Sequence, residues 1–215
     1  MTTMADATAL LIFLGAALLI AVTPGPGILY VAARSLSGGR AEGIASSLGT
    51  GVGGMVHIAA GAAGVSALVM ASAEAFTLLK LAGAAYLVWL GLRTLREARQ
   101  PLDLGAQVSA LGARRAFREG VLVEALNPKT AAFFLAFVPQ FVDPAGAMPV
   151  ALQFALLGLV SVTLNTGVDV LVALGAGRAR AGLGARPGLV RRLRQLSGGA
   201  ICALGALLAF ARRPA

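Results

Sequence analysis

The sequence predicts an all-α integral membrane protein: six transmembrane helices in two inverted three-helix repeats, with the first and fourth spans each interrupted by a proline break. Three observations predict it. Of the 215 residues, 58% are hydrophobic and only 13% charged, against about 45–50% and about 25% in soluble domains. The apolar residues fall into runs of about 20, the length that crosses a hydrocarbon core. The 18 Lys and Arg residues gather mostly at the joints between those runs.

The runs lie at roughly 7–33, 44–71, 75–92, 117–142, 148–175 and 196–211. A secretory signal peptide is the competing reading of the first, but Asp6 precedes it, no Lys or Arg does, and a small-residue cleavage pattern is poor. Two arginines (Arg34, Arg40) follow span 1, six (Arg93 to Arg118) lie between spans 3 and 4, and six (Arg178 to Arg194) lie between spans 5 and 6. These fourteen share one face, which the positive-inside rule makes cytoplasmic. Arg212 and Arg213, with Lys80 near the start of span 3, are left for the other face, and both termini are expected outside. The net charge of +9 is then a topology signal and an affinity for anionic membrane lipids. It calls for no nucleic acid, because the arginines alternate with spans and do not form a patch on a soluble module.

Residues 1–100 form the first repeat, 101–116 a cytoplasmic linker and 117–215 the second repeat. Spans 3 and 6, "KLAGAAYLVWLG" and "RQLSGGAICALG", match weakly, with Lys80 set against Arg194 and a small-residue cluster before a shared Leu-Gly. Three spans per half make the second half enter the bilayer from the opposite side, a plan common in secondary transporters.

The breaks are costly. Span 1 contains Thr23-Pro24-Gly25-Pro26-Gly27 and span 4 contains Asn127-Pro128-Lys129. An interior proline costs a helix about 3 kcal/mol and a glycine about 1, since proline has no N–H and its ring meets the preceding turn. Pro24, Pro26 and Pro128 withdraw the helical donors of the Ile20, Val22 and Glu124 carbonyls. Such groups persist at membrane depth only where protein, water or a polar ligand meets them. The amides near Gly25 and Gly27 open the next half-helix at its positive end, which suits a carboxylate, and the freed carbonyls suit an ammonium. A zwitterion fits both. The bland alternative is a loop or packing kink. Lys129 either stays inside, helping those amides hold a carboxylate while the Val22 and Glu124 carbonyls face the ammonium, or snorkels to the nearer face.

Other features exclude more than they assign. Cys202 is alone and His57 is the only histidine, so no intrachain disulfide, cysteine-ligated metal centre or cofactor is expected. His57, deep in span 2, is either a hydrogen-bonded interior residue or a functional one, as a proton carrier or substrate contact. Gly49-x-x-x-Gly53 and Gly61-x-x-Gly64 read as helix-packing surfaces. Phe133 and Phe134 face either lipid or core, and Tyr30, Tyr86 and Trp89 are interfacial anchors or packing residues. Neither His-Glu-x-x-His nor Gly-x-Ser-x-Gly occurs, which argues against an intramembrane enzyme.

"TPGPG" in span 1, "GAAYLVWLG" in span 3 and above all "LNPKTAAFFLAFVPQFVDP" at 126–144 resemble the LysE/RhtB family of bacterial amino-acid exporters, over nearly the whole chain. The resemblance implies a multi-pass protein of the bacterial inner membrane that exports amino acids or close derivatives, coupled to the proton gradient. It implies a substrate region at Pro24, Gly25 and Pro26 and at Asn127, Pro128 and Lys129. Two positions depart from the pattern: Gly27 stands where Asn is common, and Glu124 where a neutral polar residue is usual. Candidates for the coupling proton are His57, Glu124 and Asp169, the last one turn beyond Asn165; the other reading of Asp169 is an ion pair with a span-end arginine such as Arg178. The expected partners are an amino-acid substrate, protons and lipids, and a homo-oligomer is compatible with these features. Export of another small solute or a metal ion is the alternative, weakened by the scarcity of hard oxygen ligands in the spans.

Overall fold

The computed structural model describes residues 7–71, 73–98, 110–183 and 187–210, and among them every regular element is helical. Helices α1 (Ala7–Val22) and α2 (Pro26–Ala71) are followed by α3 (Ala73–Glu97), α4 (Ala113–Ala125) and the short α5 (Pro128–Ala132). A π-helical turn, Phe133–Phe137, and a 3-10 turn, Val138–Phe141, lead to α6 (Val150–Leu183) and α7 (Pro187–Phe210). The π turn sits where Pro139 withdraws the donor that the Leu135 carbonyl would use in an α-helix.

Both breaks are present. The axes of α1 and α2 diverge by 47° across residues 23–25, and those of α4 and the segment from Pro128 to Phe141 by 42°. By length and composition the 150–175 stretch of α6 suffices to cross a membrane alone, and each bent pair suffices if counted as one broken span; 201–210 of α7 is apolar but short. Leu11, Leu78, Leu171 and Leu207 are 67–69% exposed on the outer surface. In water such a surface would be a liability; against lipid it costs nothing.

Two expected joints are corrected. Where a loop was expected between spans 1 and 2, α2 runs on through Arg34 and Arg40, interrupted at Gly39 (φ 74°, ψ −169°). Only glycine adopts such a backbone without strain, so one residue does the work of a turn. Where arginines were expected to form a linker ahead of a span at 196, α7 already begins at Pro187 and carries Arg191, Arg192 and Arg194 on the helix; proline suits that first position, where no N–H is needed. Arg99, most of the 101–116 linker, Arg212 and Arg213 lie outside the described residues.

Small residues set the close approaches. Cβ atoms added at Gly49 and Gly53 would strike the backbone of α4 at Phe117 and Val121, so α2 and α4 touch nearly main chain to main chain, as membrane helices with small-residue stripes do. Gly61 lies on Phe154 of α6, whereas Gly64 meets nothing. Helices α3 and α7 cross reciprocally: Gly91 abuts Gly198 and Cys202, while Gly205 abuts Ala84 and Val88. Val88 and Cys202 are 114 positions apart, and the same offset relates Ala84 to Gly198 and Gly91 to Gly205. That is the exchange a two-fold axis makes.

At the end of the bundle where α2 bends, Glu42 is 3% exposed. Its Oε1 accepts the amides of Leu111 and Gly112, both at 2.7 Å, and its Oε2 lies 3.6 Å from Arg34. The core is aromatic: Phe13 packs edge-on against Phe141 at 5.3 Å and Phe133 stacks on Phe137 at 5.2 Å. Phe133 and Phe134 are each 1% exposed and thus belong to the core.

Candidate functional site

At the first break, Thr23 folds back on the end of α1. Its N–H reaches the carbonyls of Leu19 (3.1 Å) and Ile20 (3.2 Å), and its Oγ1 donates to Leu19 O at 2.7 Å. The remaining need is met from the other half of the chain, where Lys129 Nζ donates to Ile20 O and to Thr23 O, each at 2.9 Å. A cation at the negative end of a helix is well placed. Lys129 is 4% exposed, so it does not snorkel. Its stem lies on Gly25, where an added Cβ would be 3.2 Å from Lys129 Cε.

At the second break the caps are local. Asn127 precedes Pro128, which takes the first position of α5, and Asn127 Oδ1 accepts the Lys129 amide at 3.1 Å, a conventional N-cap. Asn127 Nδ2 donates to Glu124 Oε2 at 2.9 Å and Thr130 Oγ1 to Glu124 Oε1 at 2.6 Å. The Glu124 carbonyl accepts the Asn127 amide at 3.0 Å and lies 2.8 Å from His57 Nε2, which donates in the tautomer protonated there. His57 also stacks on Phe134 at 5.8 Å. Of the two carbonyls expected to face a substrate ammonium, those of Val22 and Glu124, the second is therefore already taken, because an α2 held close by Gly53 brings His57 within reach of it.

Glu124 also lies against the first break. A Cβ at Gly27 would sit 2.5 Å from Glu124 Oε2, so the carboxylate occupies the space beside the first turn of α2, whose amides lack intrahelical acceptors. The two positions that depart from the resembled pattern thus face each other. A residue with a side chain at 27 would leave no room for this acid.

Asp169, fully buried, accepts from Thr50 Oγ1 at 2.8 Å and more weakly from Asn165 Nδ2 at 3.5 Å, both on Oδ2. Its Oδ1 is buried with no hydrogen-bond partner. Arg178, the ion-pair candidate, lies outside the residues whose side chains are described. A void of about 20 Å³ among Thr50, Glu124, Thr130, Ser161 and Asn165 has room for one water. His57, Glu124, Lys129 and Asp169 come from α2, the two limbs of the second break, and α6.

Both breaks open on one cavity of about 210 Å³. Pro24, Gly25 and Pro26 line it from the first break, and Pro128 and Lys129 from the second. Its opposite wall is α3, through Tyr86, Leu90, Arg93, Thr94 and Glu97. That wall was not anticipated. Arg93 reads as part of the basic joint after span 3, although the spacing 86, 90, 93, 94, 97 is one helical stripe and could have been found. Thr23, Gly27, Asn127 and the three proton candidates do not line this cavity. Among the described residues, no group of three or more His, Cys, Asp or Glu is arranged to hold a metal ion.

The family model of the LysE type translocator matches residues 18–212. A membrane protein of Vibrio cholerae is 35% identical over 94% of this chain and 97% of its own length. The homoserine/homoserine lactone efflux protein of Salmonella typhimurium is 32% identical over 90% of this chain and 92% of its own. The leucine efflux protein of Klebsiella pneumoniae is 28% identical over 69% and 70%. No solved structure matches the chain. A match across nearly all six predicted spans identifies a membrane translocator and not an enzyme, and the chain belongs to the LysE type translocator family.

Proposed function

We propose that this protein exports amino acids, or closely related small zwitterions, from the cytoplasm across a bacterial inner membrane by proton antiport. The observation that carries the reading is the cavity bounded by both helix breaks with Lys129 in its wall. An ammonium has three donors. Two are held by Ile20 O and Thr23 O, and the third is left for a substrate carboxylate, with Gly25 allowing close backbone approach. The relatives named for homoserine and leucine efflux support an uncharged amino acid of modest size, which a cavity of about 210 Å³ accommodates.

The coupling proton goes to Asp169. Both oxygens of Glu124 already accept from side-chain donors. Thr50, in contrast, has one hydroxyl proton and lies 2.8 Å from both Ser47 O and Asp169 Oδ2. With Asp169 ionised, Thr50 donates to it. With Asp169 protonated, the acid donates to Thr50, whose own proton turns to Ser47 O. The Thr50 contact is kept in both states, as a proton-loading site requires.

Two inverted repeats of three spans, with the basic joints cytoplasmic and both termini outside, are part of this proposal; the reciprocal crossing of α3 and α7 and the paired breaks support it. The test is efflux of labelled homoserine and leucine from loaded cells with and without the protein, before and after collapse of the proton gradient. Efflux is expected to rise with the protein and to fall on collapse. Efflux independent of the protein overturns the reading.

A further inference from the structure

A buried hydroxyl inside a helix commonly turns back to a carbonyl one turn earlier. Ser46, Ser47 and Thr50 of α2 all do so, at 2.8, 2.9 and 2.8 Å. Ser161, inside α6 and 6% exposed, makes no hydrogen bond with any described residue. It lines the void of about 20 Å³, with Thr50, Asn165 and Glu124. Ser161, Asn165 and Asp169 recur every fourth residue, which sets them on one stripe of the helix. Among the described residues, Asn165 makes only the long 3.5 Å contact to Asp169. The void lies where α2 and α6 approach through small residues. Gly54 forms part of its wall, and a Cβ there would be 2.8 Å from Val162 Cγ2. Phe133 and Phe134 close the other side. A space of this size, polar on one side only, suits a single water, which needs roughly two to four polar partners.

Resting on the reading of Asp169 as the proton-loading site, we propose that this void seats one water that passes the coupling proton from Glu124 to Asp169, with Ser161 as its positioning residue. Thr50 is the link, since it lines the void and its Oγ1 is 2.8 Å from Asp169 Oδ2. In the loading step the Glu124 carboxyl gives its proton to the water, the water gives one of its own to Thr50 Oγ1, and the Thr50 hydroxyl proton goes to Asp169 Oδ2. Glu124 ends ionised and Asp169 protonated, while the water and the threonine keep their composition. Unloading runs the same steps backwards. Ser161 and Asn165 hold the water oxygen, because neither is committed to a strong partner elsewhere. Glu124 lies against Gly27 and is held by Asn127, which also caps the Lys129 amide. The donor end of the chain thus stands at the two breaks, and the acceptor end is buried between α2 and α6.

The test uses the full chain in proteoliposomes and compares homoserine export driven by a proton gradient with homoserine exchange, which moves no net proton. Ser161→Val fills the void with methyl groups and is expected to slow gradient-driven export by at least about 100-fold, the usual worth of a positioned proton donor. Exchange should stay within about threefold of wild type, because the added volume occupies existing space. Ser161→Ala keeps the space but removes one partner of the water, and should slow gradient-driven export by about three- to tenfold. Thr50→Ser keeps the hydroxyl and should couple as the wild type does, whereas Thr50→Val should fail as Ser161→Val does. Wild-type rates of gradient-driven export in Ser161→Val and Ser161→Ala would deny the void any part in proton transfer. Exchange falling in parallel with export in both variants would make Ser161 a packing residue; either result overturns the proposal. If wild-type export ignores the gradient while exchange persists, proton antiport itself has failed and this relay with it.

Discussion

The two helix breaks solve one problem by opposite means. At the second, each stranded group finds a donor or acceptor close by: Asn127 caps α5, Thr130 and Asn127 hold the Glu124 carboxylate, and only His57 comes from a distance. The first has one local helper, Thr23, and relies for the rest on an ammonium that arrives from 106 and 109 residues away. A break that satisfies itself is a joint. A break satisfied by a movable cation from the other half is a contact that can open and close. Under the proposed export function, the first break is the side expected to respond to substrate, and the second the arm that carries Lys129 to it.

The sharpest way to break this comparison is Lys129→Met, which keeps the side-chain volume and deletes the charge. Export by intact cells is expected to fall by at least about 100-fold, since the substrate loses its cation and two buried carbonyls lose a donor worth roughly 1–3 kcal/mol each. Normal export at matched membrane abundance would show the first break to be as self-sufficient as the second. Asp169→Asn, outside both breaks, should abolish gradient-driven export yet leave homoserine exchange within about threefold of wild type, because the amide mimics only the proton-loaded state. Retained gradient coupling would move the proton to His57 or Glu124.

Between the breaks lies the Gly27 and Glu124 contact. Gly27→Ala puts a methyl group against the carboxylate and should cost about 1–3 kcal/mol of stability, measured as a lowered melting temperature in detergent. Combining it with Glu124→Ala should return part of the loss, and strict additivity of the two would deny that they touch. The smallest effects separate the two caps. Asn127→Ala should cost about 1–2 kcal/mol, for a lost N-cap and a carboxylate left short of a donor. Thr23→Ala should cost well under that, about 0.5 kcal/mol, since its backbone amide still reaches Leu19 and Ile20. Equal losses would erase the contrast between a local and a borrowed solution.

These contrasts show what the sequence can carry. The positions of the breaks were legible because Pro24, Pro26 and Pro128 act through their own backbone, wherever the rest of the chain lies. So was the helical class, which follows from apolar runs. The choice of donors was not. Nothing within a turn of Ile20 indicates that Lys129 will reach it, or that His57 will meet the Glu124 carbonyl 67 residues away. Side-chain reach across a bundle depends on how nearly two backbones approach, and here Gly49 and Gly53 set that distance. Arg93 was read as a topology marker, and Glu97 was not singled out, because composition shows where charge sits along the chain and not which surface it faces. The helical stripe running from Tyr86 to Glu97 was the signal available.

One contact also sets an order in time. Glu42 is buried, and the Leu111 and Gly112 amides that satisfy it are 69 and 70 residues further along the chain. At about 5–20 residues per second of synthesis, the carboxylate emerges about 4–14 s before these two amides exist, with Arg34 alone already made. During that interval Glu42 Oε1 lacks both amides that hold it in the folded chain, and it is expected to stay in contact with water. The connecting segment is therefore more than a tether between halves. Its arrival is the event that seals one end of the first half, and a chain interrupted before Gly112 is expected to remain open there.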